Sequence, residues 1–167
     1  MTENVTPAID VIEPTVAQIM RTDVPTVTPD DSIAFVAKTL VDNRISGVPV
    51  IENDQIIGII TESDIITREA NVDVPTPVTF LDAIFMADAG PDFEDELRRV
   101  LAVNARQLMS APVYNIKSSA TLAQVATLMI DRRINTVPVV NADLNLVGIV
   151  SRADIVRVIS RLENENA

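Results

Sequence analysis

From residue 33 onward the apolar positions follow a helical rhythm. Ile33, Val36, Ala37, Leu40 and Val41 recur at i, i+3, i+4, i+7 and i+8, and Leu122, Val125, Ala126, Met129 and Ile130 repeat that spacing 89 residues later. Ser32 and Thr121 stand where an N-cap belongs, so each stretch predicts an amphipathic helix. The rhythm then changes to short apolar runs. Gly47 to Ile51 and Ile56 to Ile60 flank a polar turn, as do Thr136 to Val140 and Leu146 to Val150, and each pair predicts two strands. Thr61 and Ser151 end the second strand of each copy, and a further helix opens near Asp64 or Asp154. Short extended pieces, Val24 to Val27 and Val113 to Ile116, precede each set.

The two sets are an internal repeat. A shift of 89 pairs Gln18 and Met20 with Gln107 and Met109, Arg44-Ile45 with Arg133-Ile134, and Val48-Pro49-Val50 with Val137-Pro138-Val139. One extra residue after Asp143 moves the shift to 90, and Gly58-Ile59 and Asp64-Ile65 then meet Gly148-Ile149 and Asp154-Ile155. The fold expected is mixed α and β (α+β), with two helix–strand–strand–helix repeats packed face to face around shared apolar surface in pseudo-two-fold symmetry. Pro49 and Pro138 lack an N–H for a ladder, so their strands are expected at a sheet edge or an irregular position.

Boundaries follow from the same pattern: a tail over 1–14, repeat 1 over 15–68, a connecting insertion over 69–104, repeat 2 over 105–160 and a tail over 161–167. The insertion predicts a short helix from Thr79 to Met86 and a longer one from Asp92 to Met109. In the longer one Asp92, Glu94, Asp95 and Glu96 precede Arg98 and Arg99, an order that suits the helix dipole. The ends, residues 1–12 and 163–167, are expected to fray.

Composition narrows the chemistry. With no His and no Cys, thiolate–imidazole pairs, Ser-His-Asp triads, disulfides and the common zinc sites are excluded. Lys38 and Lys117 are non-equivalent and make poor candidates for a general base, so a binding module is expected rather than an enzyme. A net charge of -11 argues against a nucleic-acid duplex as partner. The charge is uneven, however: residues 105–158 hold six basic and three acidic side chains, whereas 16–68 hold four and eight. A multiply charged phosphate is therefore expected near the second copy. The start of the chain lacks the basic-then-apolar pattern of a signal peptide, and its apolar runs are too short to span a bilayer. The expectation is a cytoplasmic protein with no membrane partner.

Each copy closes on Gly-apolar-apolar-Thr/Ser-x-x-Asp: Gly58-Ile59-Ile60-Thr61-Glu62-Ser63-Asp64 and Gly148-Ile149-Val150-Ser151-Arg152-Ala153-Asp154. With Arg44 to Val50 and Arg133 to Val139, this doubled pattern resembles a tandem CBS (cystathionine β-synthase) domain pair, or Bateman module, of the free-standing type. The resemblance implies clefts between the repeats that take AMP, ADP or ATP, or alternatively S-adenosylmethionine or a dinucleotide. It also implies a homodimer and a separate effector protein. No cofactor is required by this reading, and magnesium would ride on the phosphates of a bound nucleotide rather than on a protein metal site.

The residue types support such a site. Asp64 and Asp154 offer carboxylates to ribose hydroxyls. Thr61 and Ser151 stand where a strand hands over to a helix, a place suited to anions. The resemblance makes Arg44 and Arg133 phosphate candidates, with surface ion pairing as their other reading, and Arg132, Arg152 and Lys117 add charge in the second copy. Val24, Thr26 and Val48, with Val113, Asn115 and Val137, are candidate walls for the base. The same motif also reads as ordinary helix capping, Gly58 and Gly148 as turn or close-packing residues, and Val48 and Val137 as core. A constitutive dimeric scaffold that binds no ligand is the competing function.

Overall fold

The computed structural model describes residues 13–69, 77–80, 83–86 and 102–165. The first repeat contains α1 (Val16–Ile19), α2 (Ile33–Asn43), β1 (Gly47–Glu52), β2 (Gln55–Thr61) and α3 (Glu62–Glu69). In the connection, β3 (Pro77–Phe80) and β4 (Ala83–Met86) form an antiparallel hairpin. The second repeat contains α4 (Ala105–Leu108), β5 (Ile116–Lys117), α5 (Leu122–Asp131), β6 (Thr136–Val140), β7 (Leu146–Ser151) and α6 (Arg152–Glu165).

Local chemistry sets the boundaries of these elements. The Ser32 hydroxyl accepts from Phe35 N at 3.2 Å to cap α2. Thr121 and Gln124 form a reciprocal capping box on α5. Asn53 and Asp54 both take positive φ, the two-residue turn whose twist matches a β1–β2 hairpin. Their counterpart is longer by one residue: Asn141 Oδ1 accepts from Asp143 N and Asn145 N, and Leu144 takes φ 65°.

Each repeat has its own core. Val36, Leu40, Val48, Val50 and Ile60 form one, and Val125, Met129, Val137, Val139 and Val150 form the other. The opening helix of each repeat is exchanged. Val16, Ile19 and Met20 pack into the second core, whereas Ala102, Ala105, Leu108 and Met109 pack into the first. The apolar interior is thus two crossed cores rather than one shared surface. Backbone bonds fix the exchange. Arg21 and Ile149 bond reciprocally at 2.9 Å, and Ser110 and Ile59 do so at 2.9 and 3.2 Å. Val16 N donates to Ala120 O, and Ala105 N donates to Asp31 O. Burying Val16 and Leu108 completely contributes about 2 kcal/mol each to holding the halves together.

Gly58 and Gly148 are fixed by the same exchange. A Cβ on Gly58 would lie 2.3 Å from the Met109 sulfur, and one on Gly148 would lie 2.4 Å from the Met20 sulfur. Both are close-packing residues, and neither has positive φ.

Three expectations need correction. Residues 79–80 and 83–86 are strand, not helix: Val78, Thr79, Ile84 and Phe85 pair across β3–β4, and β-branched and aromatic residues favour that state. A helix from Asp92 to Met109 does not run through either. Residues 92–101 lie outside the described residues, and Asn104, at φ −136°, caps a new short helix, α4, through Gln107 N. The strand carrying Pro138 takes the irregular position rather than the edge: β6 lies between β5 and β7, and its register against β7 shifts between Val139 and Val140. Proline is tolerated there because the parallel ladder opens on a carbonyl. In the first repeat Val27 N donates to Pro49 O at 3.1 Å and Ile51 N donates to Val27 O at 2.8 Å, so Pro49 is never asked for an N–H. Finally, α6 extends to Glu165, beyond residue 161, where the tail was expected. No helix among the described residues is long and apolar enough to cross a membrane.

Candidate functional site

The closing motif makes the same two hydrogen bonds to its aspartate in both repeats. Asp64 Oδ2 accepts from Thr61 N at 2.8 Å and from Thr61 Oγ1 at 2.7 Å. Asp154 Oδ2 accepts from Ser151 N at 2.8 Å and from Ser151 Oγ at 2.7 Å. In the second copy Asp154 N also donates back to Ser151 Oγ, completing a capping box on α6. The hydroxyl and N–H expected to receive an anion are therefore engaged by the aspartate, and capping is a real role of the motif.

What surrounds the two corners differs. A cavity of about 550 Å³ lies against the second corner, lined by Ser151, Ala153, Asp154 and Arg157 from repeat 2. The first repeat contributes Arg44, Ile45, Ser46 and Gly47, and the exchanged segment after α1 contributes Met20 and Arg21. Its walls combine Ile19, Ile45 and Ile149 with three guanidinium groups and two carboxylates, Asp154 and Glu62. Such a mixture suits an anion joined to an apolar ring. Arg157 Nη1 donates to Asp154 Oδ1 at 2.7 Å, leaving Asp154 with acceptor capacity toward the cavity. Burial pushes the Asp154 carboxyl upward. The Ser151 hydroxyl, the Ser151 N–H and Arg157 outweigh it and hold the group below the ordinary carboxylate value of 3.8. Arg21 is held by donating to Asn43 O at 2.6 Å, at the C-terminal end of α2.

Arg44 sits just past α2 at φ 52°, and Arg133 takes φ 54° at the equivalent place. In both copies the following residue, Ile45 or Ile134, donates N–H to a carbonyl five residues back, closing the helix through a left-handed residue. Glycine is the usual occupant of such a position. Arg44 lines the large cavity, but Arg133 does not line either cavity.

The related cavity at the other side is smaller, about 350 Å³, and is lined by Ile59, Gln107 to Pro112, Tyr114, Ile134 and Thr136. Asp64 is buried at 6% exposure and is absent from its lining, as is Thr61. Thr136 belongs to both cavities and forms their common wall, with its hydroxyl 2.8 Å from that of Ser46.

Of the residues singled out from the sequence, the structure brings Ser151, Asp154 and Arg44 together. It does not bring in the others. Arg132 packs over the Tyr114 ring, 4.7 Å from its centroid, and Arg152 and Arg133 are exposed outside the large cleft, as is Lys117. The positive charge lining the large cavity comes from Arg21, Arg44 and Arg157, and Arg132, Arg133 and Arg152 are not part of that lining. Val48 and Val137 are fully buried core, and Val24, Thr26, Val113 and Asn115 line neither cavity. Sequence reasoning missed Arg21, Glu62 and Arg157. Arg157 was findable as the i+3 partner of Asp154 on one helix. Arg21 was not, because only the exchange of α1 carries it to the second repeat.

The CBS domain family model matches residues 16–71 and 105–161. The Methanocaldococcus jannaschii protein MJ1426 is 30% identical over 138 residues, covering 78% of this chain and 82% of that one. The crystal structure of CBSX2 in complex with AMP superposes with a TM-score of 0.70 at 22% identity, covering 89% of this chain and 98% of that chain. The Arabidopsis thaliana CBSX2 sequence is longer, and the match spans 62% of it. The CBS domain pair of protein MJ0100, in complex with 5'-methylthioadenosine and S-adenosyl-L-methionine, gives a TM-score of 0.63 at 23% identity, covering 89% and 97%. Two matched segments, two folded repeats and the doubled closing motif lead to one conclusion: the chain belongs to the CBS domain family, as a tandem pair.

Proposed function

We propose that this chain is a regulatory module, not an enzyme, that takes one adenine nucleotide in the large cleft and alters a separate partner protein. The observation that carries this reading is the meeting of Ser151 and Asp154 from one repeat with Arg44 and Arg21 from the other around one 550 Å³ cavity. Asp154 Oδ1 accepts from a ribose hydroxyl. Arg44 and Arg21 take the phosphate through charge-assisted hydrogen bonds, and Ile19, Ile45 and Ile149 enclose the base. Because the ligand touches both repeats, it favours the relative orientation that fits it, by as much as its affinities for the alternatives differ. The AMP held by CBSX2 and the adenosyl ligands held by the MJ0100 pair support the ligand class. AMP, ADP and ATP are the first candidates, with magnesium riding on the phosphates of the larger ones. S-adenosylmethionine is the second.

A homodimer belongs to the same reading. Val41 and Ile66 in repeat 1 and their equivalents Ile130 and Val156 in repeat 2 are large apolar side chains left 65% to 75% exposed, apolar surface of the kind a second copy would cover. A chain without cysteine fits a cytoplasmic setting.

A thermal-shift screen with AMP, ADP, ATP and S-adenosylmethionine tests the proposal. Ligand at a hundred times its dissociation constant adds about 2.7 kcal/mol, on the order of 5 to 10 °C for a chain of this size. One adenine compound should give that rise, and Asp154→Ala or Arg44→Ala should remove most of it. A tight dimer indifferent to every compound would establish the scaffold reading instead.

A further inference from the structure

Each repeat lays two helices side by side, α2 on α3 and α5 on α6. A helix buries one apolar stripe against its own core, and Ile33, Val36 and Leu40 already do that for α2. The exposed Val41 and Ile66 of the first pair are therefore surplus to the core, as are their equivalents Ile130 and Val156 in the second. Apolar side chains left in water at equivalent positions of both repeats suit a contact made twice around a two-fold axis.

The charges around them differ between the repeats. Residues 33–43 and 62–69 hold two basic and four acidic side chains, a balance of −2. The equivalent residues, 122–132 and 152–159, hold three basic and two acidic, a balance of +1. The reversal is plainest beside the apolar residues themselves. Glu62 stands four residues before Ile66 on α3, and Arg152 stands four before Val156 on α6, so each charge shares a side of its helix with the apolar residue. Asp42 is paired with Lys38, and Asp154 with Arg157. Glu62 and Arg152 are exposed, and neither makes an ion pair among the described residues.

A second copy can meet these helices in two ways. Setting each repeat against its own equivalent opposes acid with acid in one contact and base with base in the other. Setting repeat 1 against repeat 2 opposes acid with base in both. Like charges across a contact cost affinity, whereas opposite charges steer the partners together.

We infer that the chain pairs with a second copy head to tail, α2 and α3 of each copy lying on α5 and α6 of the other, and that Glu62 and Arg152 set this orientation. Head-to-tail pairing deepens the homodimer reading above and rests on it. It does not depend on which compound the large cleft takes.

Charge reversal in the full chain separates the two arrangements. Each substitution installs the residue that the equivalent position already carries, so each helix keeps a first residue that this fold accepts. Arg152 lines neither cavity, so Arg152→Glu leaves the nucleotide cleft intact. In sedimentation equilibrium, Glu62→Arg and Arg152→Glu should each weaken the dimer about fivefold or more, and the double reversal should return it to within about twofold of the parent. The chain has no cysteine, so single spin labels can be placed cleanly. Dimers mixed from labelled Ile66→Cys and Val156→Cys copies should give a shorter label–label distance than dimers of either labelled variant alone. Single reversals that leave the dimer unchanged or tighten it, or labels closest within one labelled variant, overturn the head-to-tail pairing and leave the homodimer standing. A chain that sediments as a monomer overturns both.

Discussion

The corner after β2 and the corner after β7 contain the same three hydrogen-bonding atoms at the same distances, 2.7 and 2.8 Å, yet among the described residues it is the second that lines the 550 Å³ cavity. The motif in the first corner caps a helix and is buried. In the second it caps a helix and also presents a carboxylate to a space shared with Arg44. The hydrogen bonds inside a motif therefore do not tell whether it binds anything. That is decided by what the opposite repeat and the exchanged helix bring to its open side.

The comparison can be broken most severely where the exchange is tightest. Gly58→Ala places a Cβ against the sulfur, Cγ and Cβ of Met109 at 2.3 to 2.8 Å, so the whole side chain must move. A loss of about 2 kcal/mol in urea unfolding is expected. Gly148→Ala, which meets Met20 and the Arg21 carbonyl, should cost a similar amount and also distort the large cleft. If Gly58→Ala proves neutral, the packing of the exchanged helix is looser than these distances require.

Arg44 and Arg133 offer the sharpest contrast in binding. Losing a charge-assisted hydrogen bond costs about 1.5 to 3 kcal/mol, so Arg44→Ala should weaken nucleotide binding by roughly ten- to a hundredfold. Arg133→Ala should leave it within about twofold. Equal effects in calorimetry would mean that the two sides of the molecule are functionally alike. Smaller and opposite in sign, Arg133→Gly should raise stability by about 0.5 to 1 kcal/mol, since glycine takes φ 54° without strain. Arg44→Gly should give the same gain at the expense of the ligand. That pairing would identify Arg44 as a residue kept in an uncomfortable backbone position for what its side chain does.

The mildest prediction concerns acid. Asp154 has a native pKa below its unfolded value of 3.8, so its contribution to stability is present above that value and is lost as pH falls through the native one. Compared by thermal unfolding, wild type should exceed Asp154→Asn at neutral pH, and the gap should close below about pH 4. A gap that widened in acid would contradict the assigned hydrogen bonds.

Much of this was legible in the sequence. Helical spacing at Ile33 to Val41 and Leu122 to Ile130, the doubled strand pairs and the N-caps at Ser32 and Thr121 all report local physics, and the fold class followed from them. The hairpin at 77–86 was misread because apolar residues there fit both a helical and an alternating period over so few positions. Site residues divided along the same line. Asp154 and Ser151 were visible as a motif, and Arg44 was visible by its repeat. That Asp64 is closed off while Arg21 joins the site depends on which helix packs into which core. The spacing along one chain does not record that, because the two exchanged arrangements have the same periodicity.

The reciprocal loan of α1 and α4 has a consequence for how the molecule can be divided. Cut anywhere between residues 87 and 101, the chain would yield two fragments, each with an open slot and each carrying the other's missing piece. Such halves would be complementary rather than independent and would reassemble when mixed. A single repeat made alone could close its interior only by lending its first helix to an identical neighbour and borrowing that neighbour's in return. The axis that relates the two repeats is the axis such a pair would have, here made permanent by a covalent connection.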